Sequence, residues 1–290
     1  MQLTVGILCS GALGSSTVSR LSDKFMPSFI LTDKGSADII ALAHANRVPL
    51  FVGNPRQGKA IEFLRGYPVD VLFSVNYLFI VERDVLSHPS RYAINLHGSL
   101  LPKYRGRTPH VWAIINGEKE TGVAAHLMGP VCDAGDTVEQ IRIPISESDT
   151  GASILDRFSR VYPEIICSLL QRVESGELAR VKQDENQATY FGKRTPDDGK
   201  IDWNWQRERI HNWVRAQADP YPGAFTYLSG MKVIIDQIGF SSKGFSWDMP
   251  NGLVVGTEPE PLVKTPNGIV ALRKIRNGKS DLFVEGQRLE

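Results

Sequence analysis

The chain has 290 residues, 42% of them hydrophobic and 22% charged, with a formal net charge of +1. That length supports a full core without disulfide staples, and the composition is that of a folded soluble protein, which excludes the disordered and fibrous classes. The near-zero charge gives no global field to draw nucleic acid or an anionic membrane, and no stretch approaches the ~20 apolar residues of a membrane helix.

In chain order, the first 150 residues alternate short apolar runs with helical patterns. The runs "LTVGILCS" (3–10), "SFILT" (28–32), "PLFV" (49–52), "VDVLFSV" (69–75), "AINLH" (93–97) and "TGVAAHLM" (121–128) read as strands. Several are continuously apolar, as strands buried on both faces are. Between them "STVSRLSDKF" (16–25), "ADIIALAHANR" (37–47), "KAIEFLR" (59–65) and "PHVWAIING" (109–117) read as helices. Such alternation implies right-handed crossovers and a mostly parallel, Rossmann-like α/β sheet. No basic segment precedes the first run, so it reads as a strand and not as a secretion signal. From Gly151, residues Ile154, Phe158, Tyr162, Ile165, Leu169 and Val173 keep helical spacing, which predicts a long core helix kinked at Pro163.

The texture then changes. "QATYFGKRTPDDGKIDWNW" (187–205) is polar, turn-rich and aromatic. A short helix, "RERIHNWVRAQ" (207–217), leads into strands cut by Gly, Pro and Asn: "AFTYL", "KVIIDQIGF", "GLVVGT", "LVKT" and "GIVALRKI". That pattern predicts a small β-rich domain of the oligonucleotide/oligosaccharide-binding (OB-like) kind. The expected division is an α/β domain over 1–190, a linker over 191–204 and the β-rich domain over 205–290. Residues 201–290 hold 11 Lys/Arg against 10 Asp/Glu, so this domain is not basic either.

"CSGALGSS" (9–16) has Gly11 and Gly14 between a strand and a helix, but not the full GxGxxG; Asp33 follows the second strand at a distance that suits a dinucleotide fingerprint. The same glycines serve any strand-to-helix turn of this class. Cys9, Cys132 and Cys167 are an odd number without CxxC spacing, which suits a reducing compartment and a cytoplasmic location. Cys132 is expected to be buried. The histidines lack metal-ligand spacing, so no metal site is expected, and His110 and His126 are assigned to packing.

The chemistry concentrates in "INLHGSLLPKYRGRTPH", which begins at Ile94. Side chains alternate along a strand, so Asn95 and His97 share a face at its carboxyl end, where parallel sheets bind ligands. An amide and an imidazolium there suit a developing oxyanion, and a histidine can also move a proton near neutral pH. The alternative is that the two only tie down the following loop. "GPVCDAGDTV" (129–138) returns the chain beside that strand, so Asp133 either orients His97 and assists proton transfer or belongs to an ordinary Asp-Gly turn.

Together, "NLHGSLLP" and "DAGDTV" resemble the folate-dependent formyltransferases, and the resemblance extends through "PKYRGRTPHVWAIINGEKETGVAAHLM", "YFGKRTPDDGKIDW" and "DPYPGAF". It implies a Rossmann-like enzyme that carries a formyl group from 10-formyltetrahydrofolate to an amine, with Asn95, His97 and Asp133 catalytic. It also implies that Tyr77, Leu78, Phe79 and Ile80 run beside the pteridine, with Asp136 on the cofactor side. Within that family the quoted segments look most like the enzymes of nucleotide-linked amino sugars. A dTDP-4-amino-4,6-dideoxyhexose of O-antigen or lipopolysaccharide biosynthesis is the expected acceptor, and a homodimer is expected by the same analogy. Asn76, Lys103, Arg105, Arg107, Tyr190, Lys193 and Arg194 are the candidates to hold it, since a diphosphate wants cations and a base wants an aromatic face. Neither a nucleic acid nor a membrane is expected as partner. Two alternatives stand beside this: a methionyl-tRNA formyltransferase, and a non-catalytic nucleotide or nucleic-acid binding module.

Overall fold

Continuous apolar runs become strands here because helices cover both faces of the central sheet. In the computed structural model, which describes residues 3–276, 278 and 280–290, β1 (Val5–Cys9) is buried at every position and leads through α1 (Gly11–Leu21) to β2 (Phe29–Thr32), also wholly buried. α2 (Ala37–Ala45), the short β3 (Leu50–Val52) and α3 (Ile61–Arg65) follow, then β4 (Val71–Val75), again fully buried. α4 (Arg83–Leu86) precedes β5 (Tyr92–His97). The two-residue β6 (Arg105–Gly106), α5 (Pro109–Ile115), β7 (Glu120–Leu127), β8 (Thr137–Pro144), the long α6 (Gly151–Ser175) and the two-residue β9 (Tyr190–Phe191) complete this half.

The sheet order is β3-β2-β1-β4-β5-β7-β8. β1 pairs in parallel with both β2 and β4, β4 with β5, and only then does β7 run antiparallel to β5. Chain order therefore departs in opposite directions from β1 and β4, and the loops that follow these two strands diverge to open a crevice. One glycine is dictated by packing: a Cβ on Gly98 would lie 2.6 Å from the Phe158 ring of α6, so α6 can press against the turn that ends β5. α6 runs unbroken through Pro163. β8 escaped the sequence reading because Glu139, Gln140 and Arg142 interrupt its apolar positions, as they can on an edge strand.

The chain forms two compact units, one of Met1–Pro109, Thr121–Ile143 and Leu155–Phe191, the other of His110–Glu120, Pro144–Ile154 and Gly192–Glu290. In the second, α7 (Arg207–Ala216) lies against an antiparallel sheet. Its strands are β10 (Ala224–Leu228), β11 (Met231–Ser241), β12 (Val254–Gly256), β13 (Leu262–Thr265) and β14 (Gly268–Ile275), in the order β10-β11-β14-β13-β12. Both layers are thus of the expected class: a mostly parallel α/β sheet, and a smaller strand-rich antiparallel domain.

Candidate active site

β5 delivers Asn95 and His97 to the sheet's carboxyl edge, and the antiparallel register of β7 sets His126 directly across from Asn95. Asp133 reaches the same place from the turn between β7 and β8. Its Oδ1 lies 3.6 Å from His97 Nδ1 and 3.5 Å from His126 Nε2, and its Oδ2 accepts the Gly106 N–H at 2.9 Å. Asn95 Nδ2 is 3.1 Å from His126 Nε2. The Leu127 carbonyl, 2.9 Å from His126 Nδ1, can only accept, so the ring carries its proton there and Nε2 accepts from the Asn95 amide. The three residues predicted from the sequence therefore converge in one polar cluster, with His126 as its fourth member.

Local backbone accounts for the fit. Asp133 (φ 58°) and Tyr104 (φ 60°) sit in the left-handed region, a conformation that costs a non-glycine residue energy and that gathers at functional sites. Gly135 is required by close approach, since a Cβ there would fall 1.9 Å from the Leu127 carbonyl oxygen. Gln183 Nε2 donates to the carbonyls of Asp133 and Gly135 at 2.8 and 2.6 Å, and so grips the turn from behind.

Electrostatics separate the two central groups. Burial alone would raise the Asp133 carboxyl, but the His126 and His97 rings, whenever they carry their second proton, and the Gly106 N–H hold it far below the usual carboxylate range. It is ionised. Burial pushes the His97 imidazole below its ordinary value, against the pull of Asp133 and of the Tyr104 carbonyl, which accepts from Nε2–H at 2.8 Å. The resting ring is therefore neutral at pH 7, where the sequence suggests an imidazolium, and its bare Nδ1 faces Asp133.

Among the other expected residues, Arg107 Nη2 donates to the Leu78 carbonyl at 3.2 Å and ties the 77–80 segment to this region. Leu78 and Ile80 are about half exposed, while the Tyr77 hydroxyl is buried without a hydrogen-bond partner. Asn76 (φ 52°) turns the chain there and donates to the Ser10 carbonyl. Asp136 contributes its carbonyl to the Leu127 N–H. Lys103 is exposed.

Two expected phosphate ligands need correction. Arg105 is 1% exposed, and its donors go to Gln183, Glu185 and the Tyr190 hydroxyl, so it holds up Gln183 and the Asp133 turn from within. Tyr190 is itself engaged by that guanidinium, edge and face. In the second unit, Arg194 lies over the Trp112 and Trp213 rings and bonds Gln217 and the Asp198 carbonyl, so its charge is spent on packing; Lys193 is exposed. Cys132, expected to be buried, is exposed. His110 keeps its packing role, 2.8 Å from the Tyr221 hydroxyl. His126 was missed: its only sequence signal is a lone polar residue inside "GVAAHLM", and the register that sets it against Asn95 is not legible in a strand by itself. Among the described residues no group of three or more His, Cys, Asp or Glu could hold a metal ion.

A neutral imidazole, an ionised carboxylate and an amide N–H converge here, groups whose chemistry suits holding a developing oxyanion and moving a proton. The "Formyl transferase" family model matches residues 32–170, and the model of its C-terminal domain matches 193–285. The chain belongs to the formyl transferase family. Similar solved structures include WlaRD, a sugar 3N-formyl transferase in the presence of dTDP and 5-N-formyl-THF, at TM-score 0.73 and 16% identity over 96% of this chain and 100% of that one. The N-formyltransferase from Helicobacter canadensis, in complex with folinic acid and dTDP-3-aminofucose, matches at TM-score 0.72 and 19% identity over 93% and 99%. Methionyl-tRNA formyltransferase from Clostridium thermocellum matches at TM-score 0.60 and 16% identity over 83% and 96%.

Proposed function

We propose that the enzyme transfers a formyl group from 10-formyltetrahydrofolate to the amine of a nucleotide-linked amino sugar, with Asn95, His97 and Asp133 as its catalytic residues. The observation that carries the reading is the cluster those three side chains form with His126 at the end of β5. The 77–80 segment fits a flat heteroaromatic donor: it offers the exposed Leu78 and Ile80 side chains beside a buried, unpartnered Tyr77 hydroxyl. Leu78 spends its own N–H and C=O on Ser10 and Arg107, so it contributes apolar surface and leaves backbone pairing to its neighbours.

The bound folate supplies the formyl carbon on a nitrogen leaving group and departs as tetrahydrofolate. Asn95 has two amide N–H groups; one goes to His126, and the other is left for the oxygen on which negative charge grows. His97, neutral at rest, takes at Nδ1 the proton that the attacking amine loses, and becomes an imidazolium beside ionised Asp133. It returns that proton to the departing nitrogen. Asp133 stays unprotonated throughout because its partners hold its affinity for protons so low.

For the acceptor, Lys103, Asn76 and the remaining donors of Arg107 are the groups assigned to the diphosphate and sugar. Similarity to proteins described with dTDP and with dTDP-3-aminofucose supports dTDP as the nucleotide. A dTDP-4-amino-4,6-dideoxy sugar, made in the cytoplasm for O-antigen or a similar polysaccharide, is the first acceptor to test. The net charge of +1 argues against tRNA, which proteins usually hold with a basic face. The test is a mass-spectrometric assay with 10-formyltetrahydrofolate, a panel of dTDP- and UDP-linked 3- and 4-amino sugars, and methionyl-tRNA. One sugar nucleotide should gain a formyl group while the tRNA stays unmodified; formylation of the tRNA alone would overturn the acceptor.

A further inference from the structure

The loop that follows β5 is held in a shape its own sequence would not choose. Tyr104, 8% exposed, has a left-handed backbone (φ 60°), which costs a non-glycine residue energy and persists only where the surroundings impose it. Two hydroxyls impose it, one at each end of the Lys103–Tyr104 peptide unit. The hydroxyl of Ser99, a residue with no exposed surface, donates to the Lys103 carbonyl at 2.7 Å, and the Thr189 hydroxyl accepts the Tyr104 N–H at 2.9 Å. The next peptide unit is caught as well, because the Arg105 N–H goes to the Thr189 carbonyl at 2.8 Å. The Tyr104 ring stacks on Phe191, with 4.9 Å between centroids.

What these bonds hold in place is the Tyr104 carbonyl, the partner of His97 Nε2 at 2.8 Å. A carbonyl only accepts, so it keeps the ring proton on Nε2 and leaves Nδ1 bare. On its other side the ring meets a competing acceptor. Asp133 Oδ1, 3.6 Å from Nδ1, would draw the proton to Nδ1 if the carbonyl turned away. The tautomer is thus set by a contest between a neutral carbonyl and a carboxylate, and the weaker acceptor wins through its shorter reach and fixed aim.

We infer that Ser99 and Thr189 are positioning residues for His97: by gripping both ends of the Lys103–Tyr104 peptide unit they aim the Tyr104 carbonyl at Nε2, and so select the tautomer whose Nδ1 can take a proton. The inference rests on the proton-transfer reading of His97 proposed above. Gln183, six residues before Thr189, holds the Asp133 turn. The one returning segment, 183–189, therefore sets both the imidazole and its carboxylate partner.

The test uses the full chain with isotope-labelled histidine, without ligand, and reads the ring coupling patterns by NMR at about pH 8, where imidazoles are neutral. The His97 signals are those lost in His97→Gln. The wild type should show His97 as the Nε2–H tautomer. Thr189→Val, which keeps the shape and removes the acceptor, and Ser99→Ala should each move it toward the Nδ1–H form. His126, whose proton the Leu127 carbonyl holds at Nδ1, should stay as it is in both variants. Thr189→Ser should restore the wild-type pattern. Steady-state kinetics with 10-formyltetrahydrofolate and the sugar nucleotide selected by the assay above read the consequence. There kcat should fall about tenfold in Thr189→Val and Ser99→Ala, the scale of one hydrogen bond, with both KM values near wild type and Thr189→Ser recovered. Because Thr189 is exposed, Thr189→Val decides the question even where Ser99→Ala, which removes a fully buried hydroxyl, fails to fold. An unchanged Nε2–H pattern in Thr189→Val, or an Nδ1–H pattern in the wild type, would overturn the inference. A changed tautomer with kcat unaltered would overturn the proton-transfer reading instead, and leave the control of the tautomer by the two hydroxyls standing.

Discussion

In the proposed mechanism one imidazole, His97, serves both halves of the transfer. Its Nε2–H is fixed by the Tyr104 carbonyl and its Nδ1 faces an ionised carboxylate, so the position where a proton can arrive is set before substrate binds. Asn95 depends on a neighbour in a similar way: with one N–H held by His126, the amide cannot rotate, and its second N–H keeps a fixed direction. His97→Ala and Asn95→Ala should each lower kcat by about 100- to 1000-fold with little change in either KM, the usual loss when an oxyanion or proton-transfer partner is removed. His126→Phe should cost about tenfold, as a loss of orientation only, and combining it with Asn95→Ala should add nothing further. Steady-state kinetics of the four variants check this; additive losses would show that His126 acts on its own account.

At the scale of elements, two short strands do much of the positioning. β6 and β9 pair in parallel over only two residues each, yet Arg105 anchors the pair by reaching across to Gln183, Glu185 and Tyr190. Through Gln183 the same guanidinium supports the turn that carries Asp133. A lysine has the charge but not the planar fork, so Arg105→Lys should destabilise the fold by about 1–3 kcal/mol and lower kcat together, read by thermal melts and by activity. Normal activity at a normal melting temperature would show that the anchor is dispensable. This element also marks the limit of what the sequence discloses. The fully buried β1, β2 and β4 are legible because continuous apolar runs leave one reading, and Asn95 and His97 are legible because polar side chains interrupt such a run on a single face. Arg105 is not: in "PKYRGR" it stands beside Lys103 and Arg107, and only the return of the chain at Gln183–Tyr190 separates the buried cation from the two exposed ones. His126 is hidden for the same reason, since its place depends on a register between distant segments.

For the whole molecule, the titrating groups predict how stability follows pH. His97 and His211 are both pushed below their ordinary values, His97 mainly by burial and His211 by burial with Arg215 and Arg273 nearby. The unfolded chain therefore binds protons on these rings before the native one does, so stability falls as pH drops below about 6.5. Asp133 and Asp236, both held low against burial by their partners, extend the loss below about pH 4, where the unfolded carboxylates protonate first. On the alkaline side burial pushes the Cys9 thiol from 9.0 up to about 12 and the Tyr221 hydroxyl from 10.0 up to about 12. There the unfolded chain releases its protons first, so stability is complete below about pH 9 and declines above it. The melting temperature should thus be flat between about pH 6.5 and 9 and fall on both sides. His211→Gln, in the second unit, should shallow the decline between about pH 6.5 and 5 without touching catalysis, because that ring lies outside the cluster. A melting temperature that rises on acidification from pH 7 to 5 would mean that the buried rings are charged in the native state, and that His97 begins the reaction as an imidazolium after all.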